Sequence, residues 1–279
     1  DVAPSRGLGD VYKRQIMKRV FRLHRIFISQ HLKRLMEYKV DFTVGAIGFL
    51  LGQAVEILFI GIIFSQIPDL AGWTFDEILF IYGFSLIPKA IDHMFFDNLW
   101  MIGYSIVRKG DFDKYLTRPI NSLFYVTVEK FQVDAFGELL MGIILITYSL
   151  IRIGANIVWQ RALILLLLVP FAVLIYTSVK ILTSAISFWT KQSGHITHMF
   201  YAVNDFAKYP VTIYNDFIKV IITYVIPFAF TAYYPASFFL RGENGWFCVL
   251  GTVLISLALF GISLIVWNRG IKAYESAGS

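Results

Sequence analysis

Ionisable side chains stranded in apolar runs are the groups best placed to do chemistry in this sequence. Glu56 interrupts the stretch from Phe42 to Pro68, and Lys89 and Asp92 stand three residues apart between Ile78 and Val107. On one helix face, Lys89 and Asp92 would neutralise each other. Lys180 closes another apolar run, and its long stem can carry the ammonium towards the membrane surface. Charge inside a bilayer is costly, so such groups mark a polar pathway, a gating pair or a structural ion pair. The residues alone leave those readings open.

Bond-making chemistry has fewer candidates. His195 and His198 share a helix face, but no acidic or cysteine cluster accompanies them, and no metal site is expected. The sequence contains no G-x-x-x-x-G-K-[ST], G-x-S-x-G, H-E-x-x-H or paired C-x-x-C. Its one cysteine, Cys248, lies in an apolar run, so no intramolecular disulfide can form. The chain is expected to be no enzyme and to bind no cofactor of its own.

The elements that must position these groups follow from composition. Of 279 residues, 57% belong to the AVILMFWYC set and 16% are charged, and the mean hydropathy is +0.64. A soluble globule of this size could not cover itself with so few charges. The fold class is therefore all-α and integral to a membrane. Ala162 to Val179, Val220 to Leu240 and Asn244 to Asn268 are free of charge. Each supplies most of the ~20 residues that cross ~30 Å of hydrocarbon as a helix. Six spans are expected, at 42–66, 77–106, 131–151, 161–188, 216–234 and 246–267. Long continuous runs do not fit the alternating strands of a β-barrel.

Orientation comes from the cations between spans. With the N-terminus inside, at least fifteen Lys and Arg fall on the inner side, Lys114 and Lys208 among them, against Arg152, Arg161 and Arg241 outside. That bias places both termini of a multi-pass protein in the cytoplasm, and a bacterial cell membrane is the expected location. It also accounts for the formal charge of +6 without a nucleic-acid partner. Residues 1–16 have no initiator and no apolar core, and are expected to be a non-native leader before a single membrane domain over 17–279. Between Met17 and Tyr38, apolar residues recur at helical spacing among basic ones, as in an amphipathic helix lying on the inner membrane surface.

The segment after the second span reads Arg108-Lys109-Gly110-Asp111-Phe112-Asp113-Lys114-Tyr115-Leu116-Thr117-Arg118-Pro119. Gly110 can end the long helix, Asp111 can cap a short new one, and Pro119 can stop it. A short charged helix carrying Phe112, Tyr115 and Leu116 could dock on a soluble partner.

This segment resembles the G-x-x-D-x-x-L-x-R-P stretch of ABC-type-2 transporter permeases. Lys208-Tyr209-Pro210-Val211-Thr212-Ile213-Tyr214 is similar to a second stretch of that family. Ile226-Pro227-Phe228-Ala229-Phe230, followed by Tyr233-Tyr234-Pro235-Ala236, is similar to a third. The likeness runs from Met17 to Glu275. It implies the membrane subunit of an ATP-driven exporter that pairs with a second permease copy, or a related one, above separate cytoplasmic ATP-binding subunits that use the ATP. Coupling to those subunits would then fall on Gly110, Asp111, Asp113, Leu116, Arg118 and Pro119. Tyr234 to Trp246 would form an outer cap, with Pro227 and Pro235 breaking the fifth span. A membrane-embedded binding or assembly protein and a secondary transporter are the alternatives. The substrate is not legible.

Overall fold

The structure, a computed structural model, describes residues 29, 39–154, 158–242 and 244–276. The expected leader at 1–16 and the amphipathic helix at 17–38 lie outside the described residues, Ser29 apart. Among the described residues the chain is helical, and its one β contact is an isolated bridge between Leu70 and Trp73.

Among the described residues, five helices are long and apolar enough to cross a membrane. They are α1 (Lys39–Gln66), α2 (Phe75–Phe96), and, after two short helices α3 (Asp113–Leu116) and α4 (Ser122–Glu129), α5 (Ala135–Ile153), α6 (Trp159–Ala185) and a last one, Gly245–Ala273. These answer the expected spans at 42–66, 77–106, 131–151, 161–188 and 246–267. The second is extended past Phe96 by Asn98–Met101 and a π-helical turn at Ile102–Ile106.

Helix α2 is the centre of the bundle. Thr74 opens it with a capping box, in which its hydroxyl accepts from the Glu77 amide while the Glu77 carboxylate accepts from the Thr74 amide. It then packs against α5 and α6. Gly83 and Gly142 let α2 and α5 approach closely. A Cβ on Gly83 would lie 2.8 Å from Leu145 Cβ, and one on Gly142 2.8 Å from the Gly83 carbonyl oxygen. The burial of Ile78, Phe80, Ile81 and Tyr82 between these helices supplies the core.

The expected fifth span, 216–234, needs correction. The chain leaves Ser193, whose amide donates to the Gly103 carbonyl at 2.9 Å. It climbs through α7 (Gly194–Ala202) and a 3-10 helix at Val203–Lys208. Their rise of about 25 Å carries Lys208 to the ring of Tyr82, 5.6 Å from its centroid. Lys208 is thus deep in the bundle and not an interhelical loop cation. This climb carries His195, His198, Asp205 and Lys208, which is why hydropathy does not mark it.

The next stretch folds back on itself. Helix α8 (Asp216–Val220) runs into a π-helical turn at Ile221–Val225, and after Ile226 and Pro227 the chain returns through Phe228–Thr231 and α9 (Tyr233–Arg241). The Thr223 and Tyr234 hydroxyls lie 3.3 Å apart across the two arms. At the tip, Phe228 packs on Tyr176, 5.1 Å between ring centroids. At the base, Arg241 Nε and Nη2 donate to the Glu77 carboxylate at 3.0 and 2.9 Å. Pro227 makes the turn, as its missing amide requires. Pro235 breaks nothing, because it occupies the first turn of α9, where an amide would have no helical partner. The last helix is α10 (Gly245–Ala273), packed on α6.

Candidate functional site

Two places in the bundle concentrate unusual side chains. The first is the segment between α2 and α5. Gly110 takes φ +76°, a left-handed turn that favours glycine, and ends the helical run there. Helix α3 then starts at Asp113. Its N-terminal flanking residue is Phe112, and no side chain caps it, so Asp111 does not act as the expected cap. Asp111 is exposed, while the Asp113 carboxylate accepts from the Ser276 hydroxyl at 2.6 Å.

Phe112 and Tyr115 do not face a partner, as sequence spacing had suggested. Phe112 is fully buried, with its ring 4.7 Å from Phe188, 5.2 Å from Tyr274 and 6.0 Å from Trp267. It therefore bolts the short helix to the ends of α6 and α10. The Tyr115 hydroxyl donates to Glu129, and Lys114 pairs with the same carboxylate at 2.8 Å. Burial pushes the Tyr115 phenol well up, and the neighbouring Glu129 charge adds to this. Burial also opposes ionisation of Glu129, but hydrogen bonds from Lys114, Tyr115 and Asn98 outweigh it and hold the carboxyl below its usual 4.5. Arg118 lies over the ring of Tyr125 at 4.7 Å. Leu116 is 43% exposed, and Arg118 and Pro119 are exposed beside it. The result is a short helix with a braced inner face and an outer face of Asp111, Lys114, Leu116 and Arg118.

The second place lies within the spans. The expected pair of Lys89 and Asp92 is not made. Asp92 instead meets Lys180 of α6 at 2.7 Å, and Lys180 also meets Asp97 at 3.1 Å. Thr177 and Tyr201 donate to the two Asp92 oxygens at 2.9 and 3.0 Å. A helix neighbour three residues away loses here to a partner on another helix, because Lys180 can reach two carboxylates at once. Lys180 is 1% exposed and does not reach the surface. Lys89 lines the same cavity of about 320 Å³, together with His93 and Glu138, which lie 3.4 Å apart.

Glu56 belongs to a second polar group. Its carboxylate lies 3.3 Å from Lys208, which also meets Asp205 at 3.0 Å. Glu56 lies near the middle of the apolar stretch of α1, and sequence reasoning missed Asp205 as its companion. It also missed Asp97, Thr177 and Tyr201. Their only sequence signal is a polar residue recurring within helical stretches, and this does not name a partner. Among the described residues, no three His, Cys, Asp or Glu converge as metal ligands.

The sequence model described as "ABC-2 family transporter protein" matches residues 50–278. No curated protein and no solved structure matches the chain.

Proposed function

Because this chain belongs to the ABC-2 transporter family, we propose that it is the permease subunit of an ATP-driven exporter whose ATP is hydrolysed on a separate cytoplasmic subunit. The observation that carries the reading is the braced helix α3. Mechanical coupling needs a rigid element, since a loose loop would absorb movement of the ATPase without tilting the spans. Phe112 wedged among Phe188, Trp267 and Tyr274 supplies that rigidity and ties the segment to α6 and α10 at once. The exposed Leu116 offers an apolar knob between the charges of Lys114 and Arg118. The sequence has no phosphate-cradling G-x-x-x-x-G-K-[ST], in keeping with an ATP site on another chain.

In this reading the climb from Gly194 past Lys208 makes the crossing that the five long helices lack, giving six. Both termini then lie on one side, the cytoplasmic side, with exposed Arg108, Lys109, Lys114 and Arg118. The hairpin from Asp216 to Arg241 enters from the outer face and returns to it. The apolar face of α1, bare at Ile47, Leu51, Val55, Leu58 and Ile62, meets lipid and a second permease copy.

The test is Leu116→Asp. The variant inserts and folds, because the side chain is at the surface, but it fails to stimulate ATP hydrolysis by the co-purified ATP-binding subunit. Normal stimulation in this variant, or the lack of any co-purifying ATP-binding subunit from native membranes, would overturn the reading in favour of a non-transporting membrane protein.

A further inference from the structure

The group around Glu56 has features that a structural ion pair does not need. The apolar stretch of α1 runs from Ile47 to Gln66, and Glu56 sits at its centre. A carboxylate at that depth is expensive in hydrocarbon and is kept where it faces water or a ligand. The Glu56 side chain is 40% exposed and that of Asp205 68%, whereas Lys208 between them is 11% exposed. The ammonium is turned inward over the Tyr82 ring, and both carboxylates are turned outward. Two acids against one base leave the accessible charge negative.

Val55, Phe59 and Tyr209 complete the walls of a groove of about 320 Å³. That volume lies at the lower end of the range for small-molecule sites. Aromatic rings beside exposed carboxylates favour an organic cation, which gains from both the charge and the ring faces. An anion would have to reach an ammonium already claimed by two carboxylates. A metal ion would need further donors, and among the described residues no third His, Cys, Asp or Glu converges with these two. We propose that this groove binds an organic cation with an apolar, aromatic body. As the cargo of an exporter this inference rests on the permease reading, while the binding itself does not.

The experiment compares two ions of the same shape and opposite charge. The full chain is placed in lipid nanodiscs, and binding of tetraphenylphosphonium and of tetraphenylborate is measured net of empty nanodiscs. The expected result is saturable binding of the phosphonium, with tetraphenylborate bound at least about tenfold more weakly. Glu56→Gln and Asp205→Asn should each weaken phosphonium binding by about tenfold, the scale of one lost charge contact. The wild-type comparison keeps the test decisive even if a variant fails to fold. Equal binding of the two ions, no saturable phosphonium binding, or wild-type affinity in both folded variants would overturn the site. No ATPase enters this measurement, so the two readings fail separately. A chain that binds the phosphonium as described but never assembles with an ATP-binding subunit keeps the site and loses the permease. One that exports normally but ignores the phosphonium keeps the permease and loses the site.

Discussion

The bundle contains two triads of the same make-up, each a lysine between two carboxylates, and they differ in almost everything else. In the first, Lys180 and Asp92 have side chains 2% and 1% exposed and Asp97 25%, and Thr177 and Tyr201 donate to the two Asp92 oxygens. In the second, Lys208 is nearly as hidden, but Glu56 and Asp205 stand open to a groove. Identical charge arithmetic therefore serves two ends. Buried around Lys180 and Asp92, a triad joins α2 to α6, with Asp97 and a cavity of about 320 Å³ beside it. Left open, it keeps unspent negative charge at the depth where a substrate would pass.

The largest effect expected is at the buried pair of the first triad. Lys180→Met strands Asp92 with no cation beside it, and breaking a buried pair in this way costs about 3–5 kcal/mol. Thermal unfolding in detergent should show it, and the double variant Lys180→Met/Asp92→Asn should cost less than the sum of the two single changes. Strict additivity would mean the pair contributes nothing as a pair.

Lys208→Met should cost far less, about 1 kcal/mol or below, because water can solvate the two carboxylates left behind. A loss approaching that of Lys180→Met would show the groove to be dry, and the contrast between the triads would collapse.

A double-mutant cycle on Lys89 and Asp92 sharpens the comparison further. The two residues share a cavity but no ion pair, so their coupling should fall well below that of Lys180 with Asp92. Equal couplings would restore the helix-neighbour pairing that the sequence favours.

The smallest effect lies outside the spans, where Lys114 is 45% exposed against Glu129. The Glu129 carboxyl is held below 4.5, so its contribution to stability is complete above 4.5 and is lost as pH falls through the lowered folded value. The melting-temperature difference between wild type and Glu129→Gln should shrink over that acid window and stay flat near neutrality. A difference that grew on acidification would refute the assignment.

Much of the architecture was legible in the sequence because the bilayer imposes a length on apolar helices. Five of the six expected spans correspond to long helices. The climb from Gly194 to Lys208 was hidden because His195, His198, Asp205 and Lys208 lowered its hydropathy. The apolar run at Val220 to Leu240 was misread for the complementary reason: Pro227 turns it back as a hairpin. At the candidate coupling segment, Gly110 and exposed Leu116 followed from spacing. The inward turn of Phe112 and Tyr115 did not, since Phe112 is received by Phe188 and Trp267, far along the chain, and Tyr115 by Glu129 of the next helix. Local pattern gives an element's ends, while the choice of partner is made across the bundle.

The close approach of Gly83 to Gly142 has a mechanical meaning. Where two helices meet backbone to backbone with no side chain between, neither can slide or roll without collision, and the tightest point becomes a pivot. Helix α2 extends about 12 Å from Gly83 towards Phe75 and about 20 Å towards Phe96. If it turned as a rigid body about this contact, its arms would be unequal, and a displacement at the Phe96 end would reach the other end reversed in direction and reduced by a little under half. There Glu77 grips Arg241 at the base of the hairpin, so in such a motion the short arm of α2 would carry the hairpin opposite to a push at the Phe96 end.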